Sequence, residues 1–199
     1  MKSLAIEREF GSGGREIGMR VAEAAGIPYY DGELIVKAAE AQGVSLDLLK
    51  EYDEQHSGKI IYDIALLANY NQANSSQQSN IYELLYGIQN TIEKLERKGP
   101  AVFIGRCSTE ILRQNPMVVR AYIYSSDEEK KKRRLVKTEN IAETEVRKMM
   151  EKIDRQRRNY FKFWTQKDWA DRRNYDLELN TATFSMEECA ELLLWLMKK

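Results

Sequence analysis

A glycine-rich stretch near the N-terminus constrains this chain more than any other feature. The apolar segment Leu4-Ala5-Ile6 is followed closely by Gly11-Ser12-Gly13-Gly14, and a helical pattern begins at Arg15. Glycines reach positive φ and allow close approach, so successive N–H groups can converge on an anion. The helix N-terminus adds unpaired N–H groups and the positive end of its dipole. The order strand, glycine turn and helix therefore predicts a phosphate site, with Arg15 as a forked donor to phosphate oxygens.

The stretch nevertheless departs from the usual P-loop pattern G-x-x-x-x-G-K-[ST]. Gly14 matches the second glycine. Glu9 takes the place of the first glycine, Arg15 that of the lysine and Glu16 that of the metal-binding Ser/Thr. Taken alone, the stretch is therefore also compatible with a glycine-rich turn that binds no ligand, and the rest of the chain has to decide.

Bulk properties set the class of protein. A chain of 199 residues can bury a sizeable core, and a formal net charge of zero gives no indication of nucleic acid or an anionic membrane as partner. Cys107 and Cys189 lie far apart, which predicts reduced thiols rather than a disulfide framework or a zinc site. No apolar run approaches membrane-spanning length. We therefore expect a soluble, cytoplasmic protein without a nucleic-acid or membrane partner.

Five short apolar or alternating segments separated by helical patterns predict an α/β fold. The predicted strands cover residues 4–6, 29–30, 101–104, 118–124 and 175–179. Continuous apolar runs such as 101–104 are typical of strands buried on both faces, so we expect a parallel sheet covered on both sides by helices. Two helical excursions, about 44–97 and about 138–172, interrupt this alternation.

Local signals place most helix ends. Residues 33–42, 81–98 and 142–164 keep helical spacing, and Asn80 is the expected cap of the second of these helices. The polar segment 71–80 has no apolar period and predicts an exposed, mobile loop. Two serines followed three residues later by glutamate predict capping boxes, Ser126 with Glu129 and Ser185 with Glu188.

Three predicted loops follow strands and should meet at one edge of the sheet, because sites in parallel sheets gather at the carboxyl ends of the strands. These loops are Gly11–Arg15, Asp31-Gly32 and Gly105-Arg106. An arginine directly after a buried strand and a glycine is poorly placed for core packing and well placed to face a ligand. Arg106 is therefore the most informative companion of the glycine turn.

Several other residues favour structural roles. His56, the single histidine, lies in a polar segment and is not proposed as catalytic. Cys107 follows Arg106, but packing is the favoured role for its side chain. The basic run 130–134 is more typical of a solvated helix face than of a ligand site.

Five segments in chain order carry a resemblance to a known family. They are I-x-R-E-F-G-S-G-G-R-E-I-G, G-I-P-Y-Y-D-G-E-L-I, V-F-I-G-R-C, D-R-Q-R-R-N-Y-F and Y-D-L-E-L-N-T. With these segments the chain resembles the nucleoside monophosphate kinase group of P-loop proteins and, more narrowly, the cytidylate kinase-like family. The combination spans nearly the whole chain and is more specific for the family than for the substrate.

The resemblance implies a single three-layer α/β/α P-loop kinase domain over residues 1–199, with a five-stranded parallel sheet. Its core would comprise about 1–43, 98–137 and 173–199. A helical excursion at about 44–97 would bind the nucleoside monophosphate, and a helical lid at about 138–172 would carry arginines.

The resemblance also implies site residues. Those implied to hold the donor triphosphate are Gly11, Ser12, Gly13, Gly14, Arg15 and Glu16, with Arg15 in the role of the lysine. Those implied to meet the acceptor nucleotide are Asp31, Gly32, Lys37 and, at its phosphate, Arg106. The arginines implied to act in catalysis are Arg15 and the lid residues Arg155, Arg157 and Arg158.

The implied cofactors are ATP and Mg²⁺, and the implied partners are nucleotide substrates. No protein ligand of the metal is assigned, because Glu16 stands where the Ser/Thr belongs. Its carboxylate is compatible with coordination through water and also with repulsion of phosphate.

Three functions remain open on sequence alone. The leading one is transfer of the γ-phosphate of ATP to CMP, dCMP or a related acceptor. The second is a nucleotide-binding regulatory or weakly active kinase-fold protein, which Glu9, Arg15 and Glu16 favour. The third is a structural interaction protein that uses the polar 71–80 segment and the tyrosine-rich helices.

Overall fold

A parallel five-stranded sheet forms the centre of the protein in a computed structural model, which describes residues 1–41, 43 and 75–199. The strands are β1 (Ser3–Arg8), β2 (Tyr29–Asp31), β3 (Val102–Ile104), β4 (Val118–Tyr124) and β5 (Leu177–Asn180). Their order is β2-β3-β1-β4-β5, and all four neighbouring pairs are parallel. The predicted five-stranded parallel sheet is therefore confirmed, and β1 lies at its centre.

Helices connect the strands. In chain order they are α1 (Gly14–Ala25), α2 (Gly32–Glu40), α3 (Ser75–Arg97), α4 (Ser108–Ile111), α5 (Glu128–Glu139), α6 (Glu143–Thr165) and α7 (Met186–Met197), with a 3-10 turn at Arg172–Asn174 before β5. Among these described helices, none is both long and apolar enough to cross a membrane.

The two faces of the sheet carry separate apolar cores, because successive strand residues point to opposite sides. Leu4 and Ile6 of β1 join a cluster with α1 and α7, in which Ile17 and Leu193 are fully buried. Ala5, between them, belongs to a cluster on the other face that includes residues of α2, α3 and α6. The helices thus cover both faces, as the three-layer prediction requires.

A third cluster attaches α5 and α6 to the glycine-rich turn. Phe10 of the turn packs with Leu135 of α5 and with Val146, Met150 and Ile153 of α6, all of which are buried. Residues 138–172 therefore carry an apolar contact that reaches directly to the predicted phosphate site.

Two local predictions at helix starts were wrong. Helix α3 begins at Ser75, so 75–80 is helical rather than a loop, and Asn80 lies inside the helix instead of capping it. Packing of an apolar face can extend a helix into a polar segment that has no period of its own. Asp127 rather than Ser126 caps α5, and its side chain accepts the N–H of Lys130.

The other local signals agree better with the structure. The capping box of Ser185 with Glu188 is formed. Cys107 is buried in the core on the α2 side of the sheet. His56 and the helical patterns expected within 44–74 lie outside the described residues. The division into core, acceptor excursion and lid therefore stays a prediction.

Candidate functional site

The carboxyl ends of β1, β2 and β3 surround a cavity of about 390 Å³. The three predicted loops all contribute to its wall, through Gly11, Gly13 and Gly14, through Asp31 and Gly32, and through Arg106. Strand order explains this meeting, because β3 lies between β1 and β2. The tertiary structure thus brings together loops that are separated by up to about ninety residues of sequence.

Glycine is required in the turn both by backbone conformation and by packing. Gly11 and Gly13 have φ values of 79° and 87°, in the left-handed region that side chains disfavour. A Cβ at Gly13 would lie 2.5 Å from Cε of Met186, and one at Gly11 would lie 2.9 Å from Cδ1 of Leu135. Gly13 caps α1 without a side-chain hydrogen bond. The N-terminus of α1 therefore opens onto the cavity in the way that anion sites use.

Ser12 braces the turn. Its side chain is buried and donates to the carbonyl of Glu9 at 2.8 Å, while its own carbonyl accepts the hydroxyl of Thr181 at 2.8 Å. Thr181 follows β5, a position that sequence reasoning did not connect with the turn. Ser12 therefore stabilises the conformation of the turn through these two hydrogen bonds.

Five arginines from five segments of the chain line the cavity among the described residues. They are Arg8, Arg15, Arg106, Arg134 and Arg157. The sequence pointed to three of them, and missed Arg8 and Arg134. Arg8 lies in the same motif as the glycines, and this position could have identified it as a site residue. Arg134 belongs to the basic run 130–134, which was interpreted as a solvated helix face.

Carboxylates balance these arginines. The acidic residues in the described cavity wall are Glu9, Glu16, Asp31, Glu33 and Glu139. The cavity is therefore not simply cationic, and an anionic ligand has to compete with carboxylates for several of the guanidinium groups.

Arg15 makes the most direct of these ion pairs, with Asp31. Its Nε and Nη2 atoms lie 3.0 and 2.8 Å from the same Asp31 oxygen, and the other oxygen accepts the N–H of Leu34 at 3.1 Å. Partial burial raises the pKa of Asp31, but the Leu34 N–H and the Arg15 guanidinium lower it more, and the pKa is held below its ordinary value. Arg15 thus joins the start of α1 to the predicted acceptor loop.

The two glutamates that break the P-loop pattern have cationic partners. Glu9 accepts from Nζ of Lys131 at 3.0 Å and from the N–H of Ser125 at 3.2 Å. Glu16 forms ion pairs with Arg20, at 2.8 Å, and with Arg134. Lys131 and Arg134 lie three residues apart on α5, so this basic helix neutralises both glutamates. The basic run thus has a role at the site that its sequence did not reveal.

Helix α6 holds the backbone of the turn by two hydrogen bonds. Asp154 accepts the N–H of Phe10 at 2.7 Å, and Arg157 donates through Nη1 to the carbonyl of Arg8 at 2.9 Å. Desolvation raises the pKa of Asp154, although the nearby Arg157 acts in the opposite direction. The predicted lid therefore contacts the chain leading into the glycine-rich turn on both sides of Glu9.

The remaining predicted residues divide between the cavity and the surface. Arg106 is buried with a φ of 58°, and a Cβ on Gly32 would lie 2.9 Å from its Nε, so the absent side chain makes room for the guanidinium. Lys37 pairs with Glu33 at 2.8 Å on the outer side of α2. Arg155 and Arg158 are exposed on α6 and, among the described residues, lie outside the cavity wall.

The wall suits a phosphate chain better than a metal held by protein alone. A glycine cradle and several guanidinium groups fit phosphate oxygens. No group of three or more His, Cys, Asp or Glu residues suited to a metal occurs in the part of the chain that the structure describes. Mg²⁺ commonly keeps several waters and takes only one or two carboxylates beside substrate phosphates. Glu16 is the acidic residue at the helix start that fits such an arrangement.

Comparison with known proteins assigns the chain to a class and then to a family. The strand order 2-3-1-4-5 and the similarity to kinase structures define a P-loop kinase fold. The model of the cytidylate kinase-like family matches residues 3–183, and the chain belongs to that family. No curated protein matches the chain.

Solved structures agree on the fold. An uncharacterized protein from Eubacterium ventriosum is 25% identical, with a TM-score of 0.74 and coverage of 100% of this chain and 99% of that chain. A Thermus thermophilus protein is 16% identical, with a TM-score of 0.57 and coverage of 99% and 96%. The shikimate kinase from Bacteroides thetaiotaomicron is 10% identical, with a TM-score of 0.52 and coverage of 100% and 99%.

The Arg15–Asp31 pair makes the stability of the protein depend on pH. Asp31→Asn should lower the free energy of unfolding by about 1 kcal/mol at pH 7, because Arg15 is half-exposed and solvent weakens the pair. The pKa of Asp31 is lowered on folding, so the stabilisation is present above the ordinary carboxyl pKa and is lost as pH falls through the folded value. Urea denaturation of both proteins across this range measures the effect. A difference that stays constant down to pH 2 would contradict it.

Proposed function

We propose that this protein transfers the γ-phosphate of ATP to a nucleoside monophosphate, CMP, dCMP or a related acceptor. One observation supports this most directly: the glycine-rich turn and the Arg106 loop open into the same cavity. A donor phosphate on the turn and an acceptor phosphate at Arg106 would then be neighbours. That proximity is what phosphoryl transfer demands, since the protein contributes mainly positioning and charge stabilisation.

The proposed roles combine residues of the cavity wall with Lys37, Arg155 and Arg158, which lie outside that wall and are assigned by the family resemblance. The segment Gly11–Glu16 holds the triphosphate of ATP, with Arg15 placed to exchange its contact with Asp31 for one with phosphate. Asp31, Gly32 and Lys37 meet the acceptor, and Arg106 binds its phosphate with a rigidly held fork. Arg157 approaches from α6 and excludes water, with Arg155 and Arg158 on the same helix completing the lid. Mg²⁺ would supply charge neutralisation for the donor phosphates, and Glu16, at the start of α1, is the carboxylate that would hold it, directly or through water.

A nucleotide-binding regulatory protein is the second candidate. It is favoured by the Arg15–Asp31 pair and by Glu16, because the residues at the lysine and Ser/Thr positions are both engaged with other side chains. Such a protein would bind nucleotide while transferring phosphate slowly. The fold is common to both candidates and does not distinguish them.

An assay of ADP release distinguishes the two candidates. ATP and Mg²⁺ are supplied with CMP, dCMP, UMP, AMP or an unrelated small hydroxyl acceptor, and ADP is coupled to a spectroscopic readout. We expect acceptor-dependent ADP release that is fastest with a cytidine nucleotide. Nucleotide binding by calorimetry without acceptor-dependent release would favour the regulatory function. Binding of neither ATP nor any monophosphate would exclude both.

Arg106 should govern acceptor affinity. Arg106→Ala should weaken monophosphate binding by on the order of 2–5 kcal/mol, since it removes a charged and partly desolvated contact. Arg106→Lys should restore only part of that affinity, because an ammonium group does not form two parallel hydrogen bonds. ATP affinity should change much less in both variants. Calorimetric titration of each nucleotide separately measures these effects, and unaltered acceptor affinity in folded Arg106→Ala would make the residue structural.

Arg157 should act on turnover. Arg157→Ala removes both a guanidinium in the cavity wall and the hydrogen bond to the carbonyl of Arg8, and kcat should fall about 100-fold. Arg147 is exposed on the same helix and pairs with Glu151, so Arg147→Ala is the matched control and should leave kcat unchanged. Steady-state kinetics at saturating ATP and acceptor provide the comparison. Equal kcat values for the two variants would remove Arg157 from the proposed mechanism.

A further inference from the structure

We infer that Arg8 is a donor-phosphate ligand and carries the charge that the usual P-loop pattern places on a lysine at position 15. The inference rests on the proposed function and deepens it at the same cavity. Arg8 precedes Arg15, the residue at the lysine position of the pattern, by seven residues. Three features of Arg8 support this role: its position in the fold, its packing and its charge environment.

Arg8 lines the predicted donor site. It is the last residue of β1, the central strand, and the glycine-rich turn follows it directly. Its side chain is partly buried and lines the cavity together with Gly11, Gly13 and Gly14. A cation here lines the same cavity as the turn whose N–H groups are suited to an anion.

Two glycines make the space for this side chain. A Cβ on Gly14 would lie 2.6 Å from Cβ of Arg8, and a Cβ on Gly105 would collide with its guanidinium. Gly105 also has a φ of 80°, which side chains disfavour. The arginine is therefore held in a slot between the turn and the β3 loop, with its head group directed into the cavity wall.

The charge of Arg8 is less compensated than the charges of Arg15, Arg134 and Arg157. Arg15 pairs with Asp31, Arg134 with Glu16, and Arg157 lies 3.7 Å from Asp154. Within the described ranges 1–41, 43 and 75–199, the Arg8 side chain makes no hydrogen bond and no ion pair, and only its carbonyl is used, by Arg157. Its charge still acts across the cavity, since it contributes to lowering the pKa of Asp31.

A partly buried guanidinium that makes no hydrogen bond or close ion pair with a carboxylate carries a desolvation cost that an anionic ligand can offset. Its planar fork matches two phosphate oxygens. Arg15, in contrast, has a side chain 55% exposed and already bound to a carboxylate. Arg8 can therefore bind the donor phosphate without breaking an ion pair, whereas Arg15 must first break its ion pair with Asp31.

Binding of inorganic tripolyphosphate tests this role separately from recognition of the base. We would titrate tripolyphosphate, and ATP in parallel, into the wild type, Arg8→Met, Arg8→Lys and Arg113→Met. Arg113 lies outside the described cavity wall, and its partner Glu110 keeps a second cation in Lys167, so this variant is the control. Arg8→Met should weaken tripolyphosphate by at least about 30-fold, Arg8→Lys by about fivefold, and Arg113→Met by less than twofold.

Each outcome decides the inference. Tripolyphosphate affinity within threefold of wild type in folded Arg8→Met would overturn it and leave the proposed function standing. Loss of tripolyphosphate binding in Arg8→Met, in a protein that does not bind ATP even as wild type, would support the phosphate role and reject the kinase function. A wild type that binds neither would overturn both.

A second measurement covers the case in which Arg8→Met does not fold. Arginine-labelled wild type, with the Arg8 Nε–H signal assigned from Arg8→Lys, should show a shift of that signal on addition of tripolyphosphate. An Arg8 signal that stays in place at saturation would overturn the inference.

Discussion

The site depends on the hydrogen bonds that fix the backbone around Glu9. Asp154 accepts the N–H of Phe10 and Arg157 donates to the carbonyl of Arg8, so α6 holds the chain just before the glycines. Phe10 then packs against α5 and α6. A turn with two positive-φ glycines has few local interactions to stabilise it, and these long-range contacts supply them. Helix α6, which belongs to the predicted lid, therefore also stabilises the glycine-rich turn.

If the cavity binds phosphate as proposed, this connection makes ligand binding and the position of α6 interdependent. An anion that draws the turn or Arg8 towards itself acts on the carbonyl that Arg157 holds, and a displacement of α6 acts on the turn in return. Coupling of this kind is reciprocal by thermodynamic necessity. In a phosphotransferase it would link closure around the substrates to the geometry of the donor phosphates, which is how closure can assemble a catalytic site.

Charge balance in the cavity affects specificity as well as affinity. Carboxylates hold Arg15 and Arg134 in defined positions, so these side chains lose less conformational entropy when a ligand binds. A phosphate must, however, compete with Asp31 and Glu16 for the two guanidinium groups. A ligand that satisfies both partners of a pair, with a phosphate for Arg15 and a hydroxyl or amino donor for Asp31, avoids leaving a buried carboxylate unpaired. The cavity should therefore bind ligands that carry hydrogen-bond donors beside their phosphates more tightly than it binds a phosphate chain alone.

The sequence by itself determined the glycine turn, the parallel sheet, the meeting of three loops and the family, because these depend on local periodicity, on turn chemistry and on motif order. It did not determine the start of α3 at Ser75, because the polar residues there have no apolar period that would indicate a helix. It also did not determine the ion-pair partner of each charged residue. Arg15 and Asp31 are sixteen residues apart, and Glu16 and Arg134 are 118 apart. Only the tertiary structure decided these pairs and the position of Arg8, because an ion pair between distant residues depends on distances that the fold alone creates.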